Sequence, residues 1–388
     1  MTARIGFLVY RLFHIGLSVL IAALLLSLTL SAVRSSTKTE APARAATNST
    51  VLNYLYSISG TKTIAGQHNR EPNSNPVSWT NWICSVTGKY PKLWGGDFLY
   101  LEDDINNRWT MITEAKNQWD NGAFVTLMWH VCPPTIDEEH CDWEGGIKSD
   151  LTDDQWSELV TYSTTTTTLN HRWRDRIDEI VPYLQYLKDN GVEVLWRPLH
   201  EMNDESKKYD GDPYPGWAWW CGRRGENGSR KLYQITHNYM VYTKGLTNLI
   251  WVWNVKDVTP TTTILSATSV YTSYYPRDED VDYVDVVSMD PLNYGFTAEN
   301  YSATLIIAKE KPIAIGECGE LPSPTVLAAQ PRWTWFLGWA ELVKASNTII
   351  EIRAVYNDPR VVKLFRVWLP LIIKDNQSLD TATASMLD

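Results

Sequence analysis

Short apolar runs alternate with longer stretches of helical periodicity through most of the chain. The runs occupy residues 63–65, 90–94, 123–129, 192–196, 249–253, 284–288, 312–315 and 334–339. Between them the clearest helix places Ile177, Ile180, Val181, Leu184 and Leu187 on one face and stops at Asn190-Gly191. Pro182 inside that pattern lacks a backbone donor, so it is expected to kink the helix or to mark a second start. Strands alternating with helices imply βαβ units and a parallel sheet. Eight such units in about 315 residues fit an α/β fold of the closed (β/α)8 TIM-barrel type better than an open sheet.

Several of the runs end in polar clusters: Gly66-Gln67-His68-Asn69, Gly95-Gly96-Asp97, Trp129-His130, His200-Glu201, Asn254, Asp290 and Glu317. So many endings of one kind describe a lined mouth, because catalytic side chains collect at the C-terminal ends of barrel strands. The most informative segment is Leu195-Trp196-Arg197-Pro198-Leu199-His200-Glu201-Met202-Asn203. Its strand stops at a proline, which cannot donate to a ladder, and three polar side chains follow at once. The plainer alternative is a helix start capped by nearby polar residues.

The N-terminus falls outside this pattern. Arg4 and Arg11 precede an apolar run from Ile15 to Val33, which reads as a secretory signal with a weak cleavage site at Thr29-Leu30-Ser31. An uncleaved signal anchor is the alternative, since the run approaches the roughly 20 residues of a membrane span. Residues 34–50 are rich in Ala, Ser, Thr and Pro and read as a linker. The expected organisation is a leader at 1–33, a linker at 34–50, the barrel at 51–362 and a C-terminal tail at 363–388, open between a last helix, an edge strand and a sorting tail.

The formal charge is −10 with no basic run beyond the leader, which argues against a nucleic-acid partner. Aromatic composition is skewed, with 19 Trp and 20 Tyr against 7 Phe. Trp and Tyr combine a flat apolar face with a polar edge, so the skew favours half-exposed rings in a groove over a purely structural core. Five cysteines in an exported chain suggest disulfides with one thiol left over. Cys132 and Cys141 form the best pair, Cys318 is expected to stay free, and pairing of Cys84 with Cys221 is open. No zinc spacing is present.

Cleavage of a glycosidic bond calls for two carboxyl groups flanking the anomeric carbon. Glu201 follows the fourth run and Glu317 the seventh; they stand 116 residues apart, or about 39 per barrel unit. Strands four and seven face each other across a barrel mouth, so these two acids are plausible partners.

At these residues the chain resembles glycoside hydrolase family 26, chiefly its β-mannanases, over about residues 50–362. Arg197-Pro198-Leu199-His200-Glu201-Met202-Asn203 is similar to the family's acid/base motif, with His200 where other retaining-barrel families carry Asn. Ile315-Gly316-Glu317 resembles the nucleophile segment, Trp129-His130 with Pro133 the third-strand motif, and Trp217-Ala218-Trp219-Trp220 the Trp-rich segment that follows the acid/base. The resemblance implies that Glu201 protonates the leaving oxygen and later activates water while Glu317 attacks the anomeric carbon. It also implies substrate-binding roles: His130 and His200 at the glutamates or a sugar, Trp217 and Trp339 as stacking faces, and Asp290 accepting from sugar hydroxyls or orienting Glu317. His68 and Gln67, which end the first run, are expected to line the far rim.

Three departures stand out. Residues 204–216 form a charged, Gly/Pro-bearing insertion where relatives have only a few residues. The usual Asp-x-Tyr becomes Asp290-Pro291-Leu292, with Tyr294 the nearest tyrosine, so a side chain that steadies the nucleophile is missing or displaced. Ala340 follows Trp339 where some members carry Arg.

By resemblance the substrate and main partner is a β-1,4-mannan, glucomannan or galactomannan, cut in endo fashion by a retaining mechanism. β-1,3-Xylan and mixed-linkage β-glucan are the alternatives within the family. A non-catalytic carbohydrate-binding protein and a cell-surface adhesion module are the rivals outside it. No cofactor is needed, since side chains supply both acid/base and nucleophile. Asp204, Glu205, Asp210 and Asp212 lack EF-hand spacing and read as a solvated loop. Asn48, Asn227, Asn300 and Asn376 begin N-glycosylation motifs. The protein is expected to be exported, free or tethered through its N-terminal segment, and monomeric.

Overall fold

A computed structural model describes residues 49–365, apart from 71, 207–215 and 260–262 and the side chain at 139. The leader, nearly all of the expected linker, Asp210, Asp212 and Asn376 lie outside the described residues.

Eight parallel strands close on one another. They are β1 (Thr63–His68), β2 (Leu93–Phe98), β3 (Phe124–Trp129), β4 (Val194–Pro198), β5 (Leu249–Lys256), β6 (Val286–Asp290), β7 (Ile313–Cys318) and β8 (Trp333–Gly338). Each pairs with its successor, and closure comes from β1, whose Ile64, Ala65, Gly66 and Gln67 register with Trp335, Phe336, Leu337 and Gly338 of β8. This is the expected (β/α)8 barrel.

The second run is displaced from its expected position. Tyr90 and Pro91 pair antiparallel with Leu364 and Lys363, and the barrel strand proper begins at Leu93 and runs through Gly95, Gly96 and Asp97. Those glycines serve packing: a Cβ on Gly96 would lie 2.6 Å from Trp94 Cη2. The strand Val361–Leu364 also runs parallel to β1, pairing Thr63 with Val361 and Ile64 with Val362, so the start of the expected tail is a short strand held between β1 and Tyr90-Pro91.

Beneath the barrel, the helix Thr50–Ile58 turns Val51, Leu52, Leu55 and Ile58 onto Ile64, Leu93, Leu195, Ile250 and Trp335. Burying such side chains contributes about 1.5–3 kcal/mol each, so this helix is a floor of the barrel. Ser49 Oγ and the backbone N–H groups of Thr50 and Val51 all donate to the Glu193 carboxylate at 2.7–2.9 Å, placing an anion on the helix N-terminus. The helix Leu169–Asp189 runs unbroken through Pro182, with no second start. Among the described residues no helix is long and apolar enough to cross a membrane.

The tryptophan excess belongs mainly to the core, against the expectation of half-exposed rings. Trp94, Trp129, Trp173, Trp196, Trp220, Trp253, Trp333 and Trp335 are all fully buried. Large flat rings fill the space between the strands and the surrounding helices, where Trp129 stacks on Trp173 with centroids 5.6 Å apart. Cys132 and Cys141 form the expected disulfide, and Cys84, Cys221 and Cys318 are free.

Candidate active site

At the C-terminal end of β4 the backbone turns sharply. Leu199 and Glu201 both adopt positive φ, 52° and 51°, which costs roughly 1–3 kcal/mol per residue and persists only where the surroundings over-determine it. Here they do. The Glu201 N–H donates to Asn254 Oδ1 at 2.8 Å, Trp220 Nε1 donates to the His200 carbonyl at 2.8 Å, and the Asp204 N–H donates to the Glu201 carbonyl at 2.9 Å. The turn carries His200 and Glu201 into the mouth of the barrel.

Arg197, within β4 and 2% exposed, is the hub of the network beneath the mouth. Its guanidinium donates to Asp290 Oδ2 at 3.0 Å and, through Nη2, to Glu317 Oε1. Asn254 holds the other Asp290 oxygen at 2.8 Å. Gly316 leaves room for this network, since a Cβ there would meet Asp290 Oδ1 at 2.5 Å and Asn254 Nδ2 at 2.6 Å. Arg197 has no role in the sequence motif beyond its place in it; an arginine in an otherwise apolar barrel strand is the available signal, because a buried guanidinium must find acids.

The two glutamates are electrostatically unlike. Burial drives the Glu201 carboxyl well above the usual carboxylate range, and Asp290 and Glu317 reinforce the shift; its Oε1 is buried without a hydrogen-bond partner. Burial also raises Glu317, but the Arg197 guanidinium and its hydrogen bond pull against it. Burial keeps His200 neutral, far below the usual histidine range, with Nε2 3.8 Å from Glu317 Oε1. Such divergence between neighbouring carboxyl groups is how acid and base roles are assigned at one pH.

A cleft of about 320 Å³ brings together six of the eight expected residues: His130, His200, Glu201, Trp217, Glu317 and Trp339. Trp143, missed by sequence reading, joins them and stacks on Trp217 with centroids 5.6 Å apart and planes 21° from parallel. Trp143 follows the loop closed by the disulfide. Trp217 is fixed at the neck of the insertion: its N–H donates to Asp204 Oδ2 at 3.0 Å, and the Gly216 N–H donates to the Ser206 carbonyl at 2.7 Å. These bonds clasp the two ends of the insertion and hold Trp217 at the clasp.

Two expected residues lie elsewhere. Asp290 has no exposed surface; it sits below the cleft, where it accepts from Arg197 and from the Glu317 backbone N–H, which fits the orienting role and not sugar contact. Tyr294 lines an adjoining depression of about 410 Å³ with Asn203, Asp204, Glu205 and Lys256, while Leu292 occupies the cleft rim. His68 is fully buried and stacks on Trp339 at 4.2 Å, and Gln67 is buried against the Gly338 carbonyl, so neither is an open rim residue. Beside Trp339 the cation comes from Arg70, whose guanidinium lies 6.0 Å from the ring centroid. No group of three or more metal-ligating side chains occurs among the described residues.

A closed parallel barrel whose mouth gathers two buried, unequal glutamates and stacked indoles has the build of a glycoside hydrolase. The profile of Glycosyl hydrolase family 26 matches residues 40–364, and the chain belongs to that family. It is 30% identical over 331 residues to a mannan endo-1,4-β-mannosidase of Thermothelomyces thermophilus, covering 83% of this chain and 59% of that protein. To a protein of the same description from Bacillus subtilis it is 26% identical, with 74% of this chain and 76% of that one covered. The structure of GH26A from a Muricauda species superimposes with a TM-score of 0.70 at 33% identity, covering 81% of this chain and 94% of that one. The chain spans only 59% and 49% of the length of the first two curated relatives it matches.

Proposed function

We propose that the protein is a retaining, endo-acting glycoside hydrolase that cleaves β-1,4-mannosidic linkages in mannan, glucomannan or galactomannan. The observation that carries the assignment of roles is the asymmetry of the glutamates. Glu201, buried and lacking a partner for Oε1, keeps its proton near neutral pH and can hand it to the leaving oxygen. Glu317, bound to Arg197, is the acid better able to stay ionised and attack the anomeric carbon. Once the leaving sugar departs, Glu201 is a carboxylate, and it withdraws a proton from the water that hydrolyses the glycosyl–Glu317 ester. His130 and His200 face sugar hydroxyls, and the Trp143–Trp217 pair and Trp339 supply apolar faces for pyranose rings. The relatives named mannan endo-1,4-β-mannosidase support the choice of polysaccharide. The apolar run at residues 15–33 supports export, either free or tethered; action as a monomer is part of the same proposal.

The test is release of reducing ends from linear mannan, glucomannan, β-1,3-xylan and mixed-linkage β-glucan by wild type and Glu317→Ala, with the anomer first formed read by NMR. Release from the mannans alone, as the β-anomer and abolished in the variant, is expected. Release of the α-anomer would overturn retention, preference for xylan or β-glucan would overturn the substrate, and mannan binding without release would convert the reading to a binding protein.

A further inference from the structure

Asp97, the penultimate residue of β2, has no exposed surface, and its carboxylate is given over to His130. Oδ1 accepts the His130 backbone N–H at 3.2 Å and Oδ2 lies 2.6 Å from His130 Nδ1. The rest of the pocket around the His130 ring is His68 from β1, His200 and Glu317 across the mouth, and the indoles of Trp143, Trp217 and Trp339. His68 does not compete for Asp97: its Nε2 is 3.8 Å from Oδ2, beyond hydrogen-bond reach, and both its ring nitrogens are buried without a partner. Burial alone would push the Asp97 carboxyl up, but its contacts with His130 outweigh that and hold it below the usual range, so it remains a carboxylate.

An ionised carboxylate only accepts. Two acceptors do not sit 2.6 Å apart, so the proton between them belongs to Nδ1. We propose that Asp97 is a positioning residue that fixes His130 with its proton on Nδ1, which leaves Nε2 toward the cleft as a hydrogen-bond acceptor for a hydroxyl of the bound sugar. The inference rests on the hydrolase reading for its substrate, but not for its tautomer. A second ring nitrogen that accepts rather than donates selects for a sugar hydroxyl pointing its proton at β3.

The experiment substitutes Asp97→Asn, alone and in a His130→Ala background. The amide keeps its oxygen on the His130 backbone N–H and turns its NH2 toward Nδ1, which reverses the tautomer. In protein labelled with 15N-histidine, with the His130 signals identified by their loss in His130→Ala, wild type is expected to show the proton on Nδ1 and Asp97→Asn to show it on Nε2. On mannan, Asp97→Asn is expected to lower kcat/KM about 10²-fold, between the loss of one substrate hydrogen bond and the larger loss from a misoriented catalytic imidazole. In the His130→Ala background the same substitution should change little.

An Nε2–H tautomer in wild type would overturn the proposal, as would equal losses from Asp97→Asn with and without His130, which mark a purely structural carboxylate. The tautomer measurement needs no substrate. Absence of mannan hydrolysis in wild type would therefore count against the hydrolase reading and leave the tautomer result standing.

Discussion

Replacement of Arg197 by Met is the most demanding perturbation of the network beneath the mouth. Arg197 is 2% exposed and joins Asp290 and Glu317, two acids that are themselves almost wholly buried. Met keeps most of the side-chain volume, so the change isolates the charge. Breaking a buried ion pair on one side costs about 3–5 kcal/mol, because the partner left behind is an uncompensated charge. Here two acids are left, and Asn254 relieves only Asp290.

The sign with pH follows from linkage. Without the guanidinium, burial raises the folded-state pKa of Glu317 further above its unfolded value. Such a group holds its proton better when folded, so its contribution to stability is present at acid pH and lost as pH rises through the folded value. Arg197→Met should therefore be close to wild type in urea unfolding near pH 4 and fall behind by about 3–5 kcal/mol at pH 8. In activity, the acid limb of kcat/KM should move to higher pH, with kcat at neutral pH lower by about 10²–10³-fold. A deficit in stability that is the same at both pH values, with an unmoved acid limb, would refute the assignment of Arg197 as the group that keeps Glu317 ionised.

Glu201→Gln should lower kcat on mannan about 10²–10⁴-fold, the usual contribution of a general acid, and yet stabilise the fold at neutral pH. Wild type loses stability as pH rises through the raised folded-state pKa of Glu201 and the variant does not, so the gap in melting temperature should widen from pH 5 to pH 8; a gap that closes over that range would contradict the burial argument. Tyr294→Ala, at the depression beyond Glu201, should leave hydrolysis of the shortest cleavable manno-oligosaccharide within about 2-fold while shifting which bond is cut in longer ones. An unchanged product pattern on longer substrates would remove Tyr294 from the sugar path.

Much of this arrangement was legible in the sequence because it depends on local pattern. Period and spacing placed eight strands, and the polar residues ending most of the runs marked the mouth, so Glu201, Glu317, His130 and His200 meet where the pattern put them. The second strand slipped because Gly95-Gly96-Asp97 reads as the polar ending of the run, whereas in the barrel the glycines are strand residues that leave space beside the Trp94 ring. The Trp excess misled for a related reason: a flat ring suits both a sugar and a wide gap between strand and helix, and composition does not separate them. The role of Arg197 depends on partners 93 and 120 positions away, which no local window contains. By resemblance Asp290 was open between sugar contact and orienting Glu317, because the depth at which its strand ends is set by neighbours, here Asn254 and Gly316, that no local pattern shows. Trp143 gave no periodic signal, since its position comes from a disulfide-closed loop.

The central claim is that Glu317 forms a covalent bond with the sugar. Its most direct test is mass spectrometry of protein exposed to 2-deoxy-2-fluoro-β-mannosyl fluoride, which loses fluoride as it glycosylates the nucleophile and then hydrolyses slowly. A stoichiometric fluoromannosyl adduct on the peptide containing Glu317, absent in Glu317→Ala and discharged by added acceptor sugar, is the predicted result. Labelling of Glu201, or turnover of mannan with no adduct on any carboxylate, would contradict it.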